Sequence, residues 1–273
     1  MMGRSGSSTA EDSAVADPAT PLYVYGIVEA GAHGPLPSGG VGAPAAPVRL
    51  VAEGGLAAVV SPVPQGELKA RREDLEAHQL VLSSIVEQDT VVPMRFGVVM
   101  DDERALRSEL LTRHAAALEQ LLAAVRNRVQ MTLKAFYVGD ALLREVMAGR
   151  PDIGRRAAEV RDREDAEARN VKIWLGEVIA DEVSRRREAD ERRILDAVTP
   201  VVDDLHVEPP ASERGAVNAQ LLVSRERRGQ LDVVVRELTA QGEGRLAFRY
   251  LGPLAPYSFA DLALEPREES SWD

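Results

Sequence analysis

Between Arg155 and Arg193 the sequence carries 22 charged side chains, 11 of each sign. No other stretch limits the fold so strongly. A run of one sign would repel itself and stay open. A mixed run instead supports a solvated helix through opposite charges one turn apart. Asp181/Arg185, Glu182/Arg186 and Glu188/Arg192 have that spacing. Ile173, Trp174, Val178, Ile179, Val183, Ile194, Leu195 and Val198 recur through the same stretch and could seat one side of it on a body. The spacing predicts a helical arm over about 155–198. Because the stretch from Arg155 to Arg193 is electrically balanced, the net charge of −11 (33 basic against 44 acidic residues) lies outside it. That excess would help to keep the molecule in solution.

The rest of the chain reads as mixed strands and helices. Leu22–Val28 (LYVYGIV) is a buried strand, rich in β-branched and aromatic residues. After a Gly/Pro-rich loop over 31–47, VRLVAEGGLAAVVSPV reads as two strands joined at Glu53-Gly54-Gly55, with Pro62 and Pro64 ending the second. Over 66–88, Leu75, His78, Gln79, Leu82, Ile85 and Val86 fall at the spacing of an amphipathic helix. Val91–Met100 is one apolar run, with Pro93 tolerated near a strand start or on an edge. Asp101-Asp102 offers a cap to a helix whose stripe is Leu106, Leu110, His114, Leu118, Leu121 and Val125.

The pattern restarts after Arg128. Val129–Val138 alternates like a strand, and Asp140 is placed to cap a short helix ending at Gly149-Arg150-Pro151. After the arm come strands over 201–207 and 216–224, a helix over 229–240 and a strand over 245–251. The order β-α-α-β-β-α-β resembles a ferredoxin-like unit with a helical insertion. The expected class is therefore α+β in two domains. The N-terminal domain spans 21–128 and the C-terminal one 129–262, between an expected disordered tail over 1–20 and a polar tail over 263–273.

Motifs of chemistry are few. There is no cysteine, which excludes thiolate metal sites, disulfides and a cysteine nucleophile. His33, His78, His114 and His206 lack metal-ligand spacing, and no HExxH, GxSxG or Gly-Lys-Ser/Thr loop occurs. Gly40, Gly42 and Ala45 satisfy GxGxxA, but prolines and a strand follow where the phosphate-binding turn needs a helix N-terminus. Acidic charge and 4% aromatics argue against nucleic acid. No apolar run approaches a membrane span. No cofactor, metal or catalytic residue is expected, and the location is cytoplasmic.

Two segments stand out. In Val91-Val92-Pro93-Met94-Arg95-Phe96-Gly97 an Arg sits inside an apolar run and must reach solvent or a partner. It either bridges to a nearby carboxylate or belongs to a binding surface. In Tyr250-Leu251-Gly252-Pro253-Leu254-Ala255-Pro256-Tyr257-Ser258-Phe259, two prolines stiffen a segment whose aromatic anchors are Tyr250, Tyr257 and Phe259. It either packs back on the core or docks a partner.

With the opening YVYGIV, the hairpin end LAAVVSPV and His78 ahead of VVPMRFG, the closing GPxxPYSF makes a chain that resembles the gas vesicle accessory proteins of the F and L type, over about residues 21–262. It departs from the family pattern at Leu254 and Ala255, where many members carry Trp and Pro. The resemblance implies a modified ferredoxin-like N-terminal domain and a C-terminal α+β domain with long helices. It implies no enzymatic activity, and a role in the gas vesicle with the small hydrophobic shell protein and other accessory proteins as partners. On this reading Met94, Arg95, Phe96, Tyr257 and Phe259 are the candidate partner-binding residues. The rival is a small-molecule enzyme or sensor on a ferredoxin-like scaffold, which would need a deep pocket with convergent polar groups.

Overall fold

The computed structural model of the chain describes residues 20–31, 34–63 and 71–262. The tails expected over 1–20 and 263–273 lie outside the described residues apart from Thr20. So do His33, Pro64 and the first residues of the helix expected over 66–88.

The chain is a mixture of helix and sheet. The first sheet holds β1 (Leu22–Glu29), β2 (Arg49–Glu53), β3 (Leu56–Pro62), β4 (Val92–Pro93) and β5 (Val99–Met100). Its order is β2-β3-β1-β4, with β5 also on β1, and every pairing is antiparallel. β1 is buried along almost its whole length because both of its faces are covered. Leu22, Val24 and Ile27 enter one core cluster, whereas Tyr23, Tyr25 and Val28 enter another. The face switches at Tyr25, where the register against β3 shifts between Val24 and Gly26. The expected hairpin forms, with Glu53 opposite Leu56 and Gly54 at φ +58°.

One expectation fails here. Val91–Met100 is not a single strand: β4 and β5 pair with opposite ends of β1, and Met94–Val98 loop out between them. The loop is pinned by Met94 N–H to Tyr25 C=O (2.8 Å) and Val24 N–H to Val98 C=O (2.9 Å).

Helix α1 (Arg72–Val86) lays His78, Val81, Leu82, Ile85 and Val86 inward, while Leu75 is exposed. The next helix is interrupted. A short α2 (Glu103–Ala105), capped by Asp102 Oδ1 accepting from Ala105 N–H at 2.7 Å, leads into a π-helical stretch over 106–112, and α3 (Ala115–Val125) follows. The buried stripe holds Leu106, Leu110 and Leu111, then Leu118, Leu122 and Val125, with Leu121 only partly buried. His114 sits at the break rather than in a helix face.

The second sheet holds β6 (Arg128–Tyr137), β7 (Asp204–Val207), β8 (Gly215–Ser224) and β9 (Leu246–Leu254), in the order β7-β8-β6-β9, all antiparallel. Val129, Met131, Leu133 and Ala135 share a core with Val217, Ala219, Leu221 and Val223. On the other face Gln220 Oε1 accepts from Gln130 Nε2 (3.0 Å) and Thr132 Oγ1 (2.6 Å), which satisfies polar groups that are themselves buried. Helices α4 (Ala141–Gly149), α5 (Pro151–Glu159), α6 (Ala166–Val198) and α7 (Arg228–Gln241) complete the fold. Asp140 precedes α4, but its carboxylate makes no capping bond.

The arm therefore forms, but in two pieces. α5 stops at Glu159, and Asp165 restarts the helix by accepting from Ala168 N–H at 2.8 Å. Of the three expected pairs, only Glu182 and Arg186 meet through the carboxylate, at 3.1 Å. Arg185 and Arg192 instead donate to the backbone carbonyls of Asp181 and Glu188. Ile194 and Val198 anchor the base of α6 in the main core. Ile153, Val160, Ala168 and Leu175 form a separate small cluster under the arm.

Candidate functional site

The two segments singled out by the sequence come together, and just past the end of the second Asp261 bonds to Arg95, 166 residues away. β1 supplies the floor. Tyr23 and Tyr25 project to the same side, edge to face with ring centroids 4.9 Å apart. α1 lowers His78 onto them. The imidazole stacks on Tyr25 at 5.5 Å and meets Tyr23 and Phe96 edge-on at 5.7 and 5.8 Å.

The polar atoms of this cluster form a connected row. His78 Nδ1 is 2.8 Å from Tyr23 Oη, and His78 Nε2 is 2.9 Å from Tyr257 Oη. A neutral imidazole has one donor and one acceptor nitrogen, so one tyrosine receives a hydrogen bond and the other gives one. Gly97 N–H donates to Tyr23 Oη at 3.3 Å, and Val41 N–H donates to Tyr25 Oη at 2.7 Å. Burial pushes the His78 pKa down to about 4, against a weaker opposing contribution from the Met94 backbone. Burial raises the phenols of Tyr23, Tyr25 and Tyr257. The cluster is uncharged near neutral pH. With both ring nitrogens engaged and only 3% exposure, His78 has no face left for a substrate.

The C-terminal segment closes over this cluster. Gly252, near the end of β9, has φ +141°, and an added Cβ there would lie 2.5 Å from Met131 Sδ. Ser258 N–H donates to Gln130 Oε1 at 3.0 Å. Phe259 and Leu262 pack on the N-terminal core around Leu22 and Val24, and Ala260 is buried within it. Asp261 then accepts from the Arg95 guanidinium. A second pin lies nearby, where Arg225 donates to the C=O of Val86 and, at 3.0 Å, to that of Asp89, at the C-terminal end of α1.

Among the five sequence-predicted residues, Met94 is buried in the core around Leu22, and Phe96, Tyr257 and Phe259 are half-buried. Only the Arg95 side chain, 77% exposed, stands out to solvent. The structure brings all five into one region. Sequence reasoning missed Tyr23, Tyr25, His78 and Asp261 as members. The polar tips of two tyrosines inside an otherwise apolar strand were the available signal for Tyr23, because a buried phenol needs a partner. Asp261 carried no signal. Among the described residues, no group of three His, Asp or Glu side chains is placed to hold a metal ion, and no helix is long and apolar enough to cross a membrane.

Residues 21–261 match the family model described as gas vesicle synthesis protein GvpL/GvpF. The chain is 35% identical to gas vesicle protein F of a Streptomyces species over 243 residues, covering 88% of this chain and 99% of that one. It is 30% identical to gas vesicle protein L of a Streptomyces species, covering 91% of this chain and 96% of that one. The crystal structure of GvpF from Anabaena superposes with a TM-score of 0.78 at 24% identity, covering 90% of this chain and all of that one. GvpF from Microcystis aeruginosa superposes at 0.72 and 24% identity, covering 89% of this chain and all of that one.

Proposed function

The chain belongs to the gas vesicle synthesis protein GvpL/GvpF family, and from that premise we propose that it is a non-enzymatic accessory protein that binds the small hydrophobic shell protein and supports vesicle formation in the cytoplasm. Before it polymerises, such a shell subunit has apolar surface to cover. A folded acidic protein can hold that surface and stay dispersed itself. The observation that carries the reading is the convergence of VVPMRFG and PYSF on one surface, with Arg95 presented to solvent above a locked aromatic cluster. In this proposal Arg95 and the half-buried Phe96 and Phe259 contact the partner. Met94 and Tyr257 hold that surface in shape.

The architecture belongs to the same proposal. The division near Arg128 gives two domains, each with a ferredoxin-like plan. Support comes from the strand orders, β2-β3-β1-β4 and β7-β8-β6-β9, which repeat one scheme. In the first sheet a loop stands where the second has its helical arm. The experiment is a pull-down of the shell subunit with the tagged protein, paired with deletion of the gene in a vesicle-forming cell. The proposal expects recovery of the shell subunit and loss of normal vesicles. No recovery together with normal vesicles would end it.

A further inference from the structure

We infer that the protein pairs with a second copy of itself through the outer face of its arm, the two α6 helices lying antiparallel about Ile173. The hairpin of the arm covers only one side of α6. Ile153 of α5 and Val160 pack there on Ala168 and Leu175. A helix turns about 100° per residue, so Ala166, Arg169, Ile173, Gly176, Glu177 and Ala180 share the opposite side. All six are exposed. Ile173 stands at the centre of that face and is 57% exposed, a large apolar side chain that its own chain leaves uncovered.

The charge on this face divides at Ile173. Arg169 stands one turn before it and Glu177 one turn after it. Neither side chain has an ion-pair or hydrogen-bond partner among the described residues. Their own helix offers them none. Asp165, one turn before Arg169, is already held by Arg163 at 2.9 Å and caps Ala168 N–H. Lys172, on the other side of Arg169, has the same sign, and its ammonium donates to the carbonyls of Arg161 and Arg163. Glu164 borders the same hollow as Arg169 without pairing to it. Asp181, one turn beyond Glu177, is again a like charge, which disfavours the helix slightly.

A face with a positive end, an apolar centre and a negative end is complementary to itself turned end for end. A second copy rotated about Ile173 sets its Glu177 against Arg169, its Arg169 against Glu177, and Ile173 against Ile173. A parallel copy would set like charge on like. The two-fold arrangement uses the same patch on both chains, so association stops at the dimer. Nothing lies within 4 Å of a Cβ added at Gly176, so the two backbones have room to approach there. Charge also selects the arm as the meeting place. The whole chain carries −11, which makes two bodies repel, but Arg155–Arg193 carries 11 charges of each sign. Ile173 lies about 30 Å along α6 from Ile194, the buried anchor in the main core, which keeps the acidic bodies apart. This surface is separate from the one around Arg95 and does not depend on the shell-protein reading.

The test is analytical ultracentrifugation of the full-length protein and its charge variants. The wild type should show a monomer–dimer equilibrium that reaches mostly dimer by about 100 µM. Arg169→Glu and Glu177→Arg should each weaken the dimer at least about tenfold. Both positions are exposed, so the melting temperature of the dilute monomer should not change. Arg169→Glu combined with Glu177→Arg in one chain should restore the dimer. An equimolar mixture of the two single variants should also dimerise, because each chain then meets the opposite charge on the other. A wild type that stays monomeric, a dimer indifferent to the single reversals, a double variant as weak as the single ones, or single variants that stay monomeric when mixed would each overturn the inference. So would a different protein bound to the arm while the purified chain remains a monomer.

Discussion

His78→Gln tests the aromatic cluster through its dependence on pH. In the folded chain the imidazole stays neutral between Tyr23 Oη at 2.8 Å and Tyr257 Oη at 2.9 Å, and burial lowers its pKa from 6.5 to about 4. In the unfolded chain it takes up a proton near its ordinary value. As pH falls through the interval between those two values, the unfolded state binds more protons than the native state, so stability falls with pH. The full interval corresponds to ~3 kcal/mol, complete once the pH reaches the folded value. Glutamine keeps a donor and an acceptor but does not titrate. Urea unfolding, followed by circular dichroism at about pH 7.5 and about pH 4.5, gives the stability of each form. Carboxylates common to both proteins cancel in the difference. The wild type should lose about 2–3 kcal/mol more than the variant between those conditions. Equal losses, or a histidine proton resonance for residue 78 that turns over near pH 6 or above, would refute the argument.

Further substitutions examine other parts of the structure. Gly252→Ala should destabilise by about 1–3 kcal/mol in denaturant unfolding, since φ is +141° and the new Cβ would press on Met131 and the Gln130 C=O. Asp190→Ala should cost about 3 kcal/mol by the same measurement. It removes the carboxylate that accepts from Tyr137 at 2.7 Å and from Arg245 at 2.8 and 2.6 Å, leaving that guanidinium without its main partner. Arg95→Ala should change the melting transition little, because its pair with Asp261 is largely exposed and such pairs contribute about 0–1 kcal/mol. A large thermal destabilisation of Arg95→Ala would show that the residue is structural.

Local pattern carried much of the fold. The charged arm, the Gly54 hairpin and the inward row of β6 were legible because each depends on periodicity or turn chemistry within a few residues. Where tertiary contacts decide, the sequence was silent. Val91–Met100 looked like one strand, yet β1 needed only its two ends, and the polar and aromatic middle was drawn outward to His78 and Asp261. Within α3 the inward position between Leu118 and Val125 is Leu122 rather than Leu121, a choice between two neighbouring helical spacings that packing makes. In the arm, Arg185 pairs with Glu182 rather than with the carboxylate of Asp181, and Arg192 donates to the backbone carbonyl of Glu188 rather than to its carboxylate. For the candidate site, the residue types were visible, but their meeting across the sequence was not. No local pattern encodes the contact between Tyr257 and His78.

The central claim is that the surface around Arg95 binds the shell subunit. Its most direct test is the affinity of the purified protein for that subunit, measured for the wild type and for Arg95→Glu at matched folding. The account predicts at least about a tenfold weakening, equivalent to ~1.4 kcal/mol, with the melting temperature unchanged. Equal affinity of the two proteins for the shell subunit would contradict it.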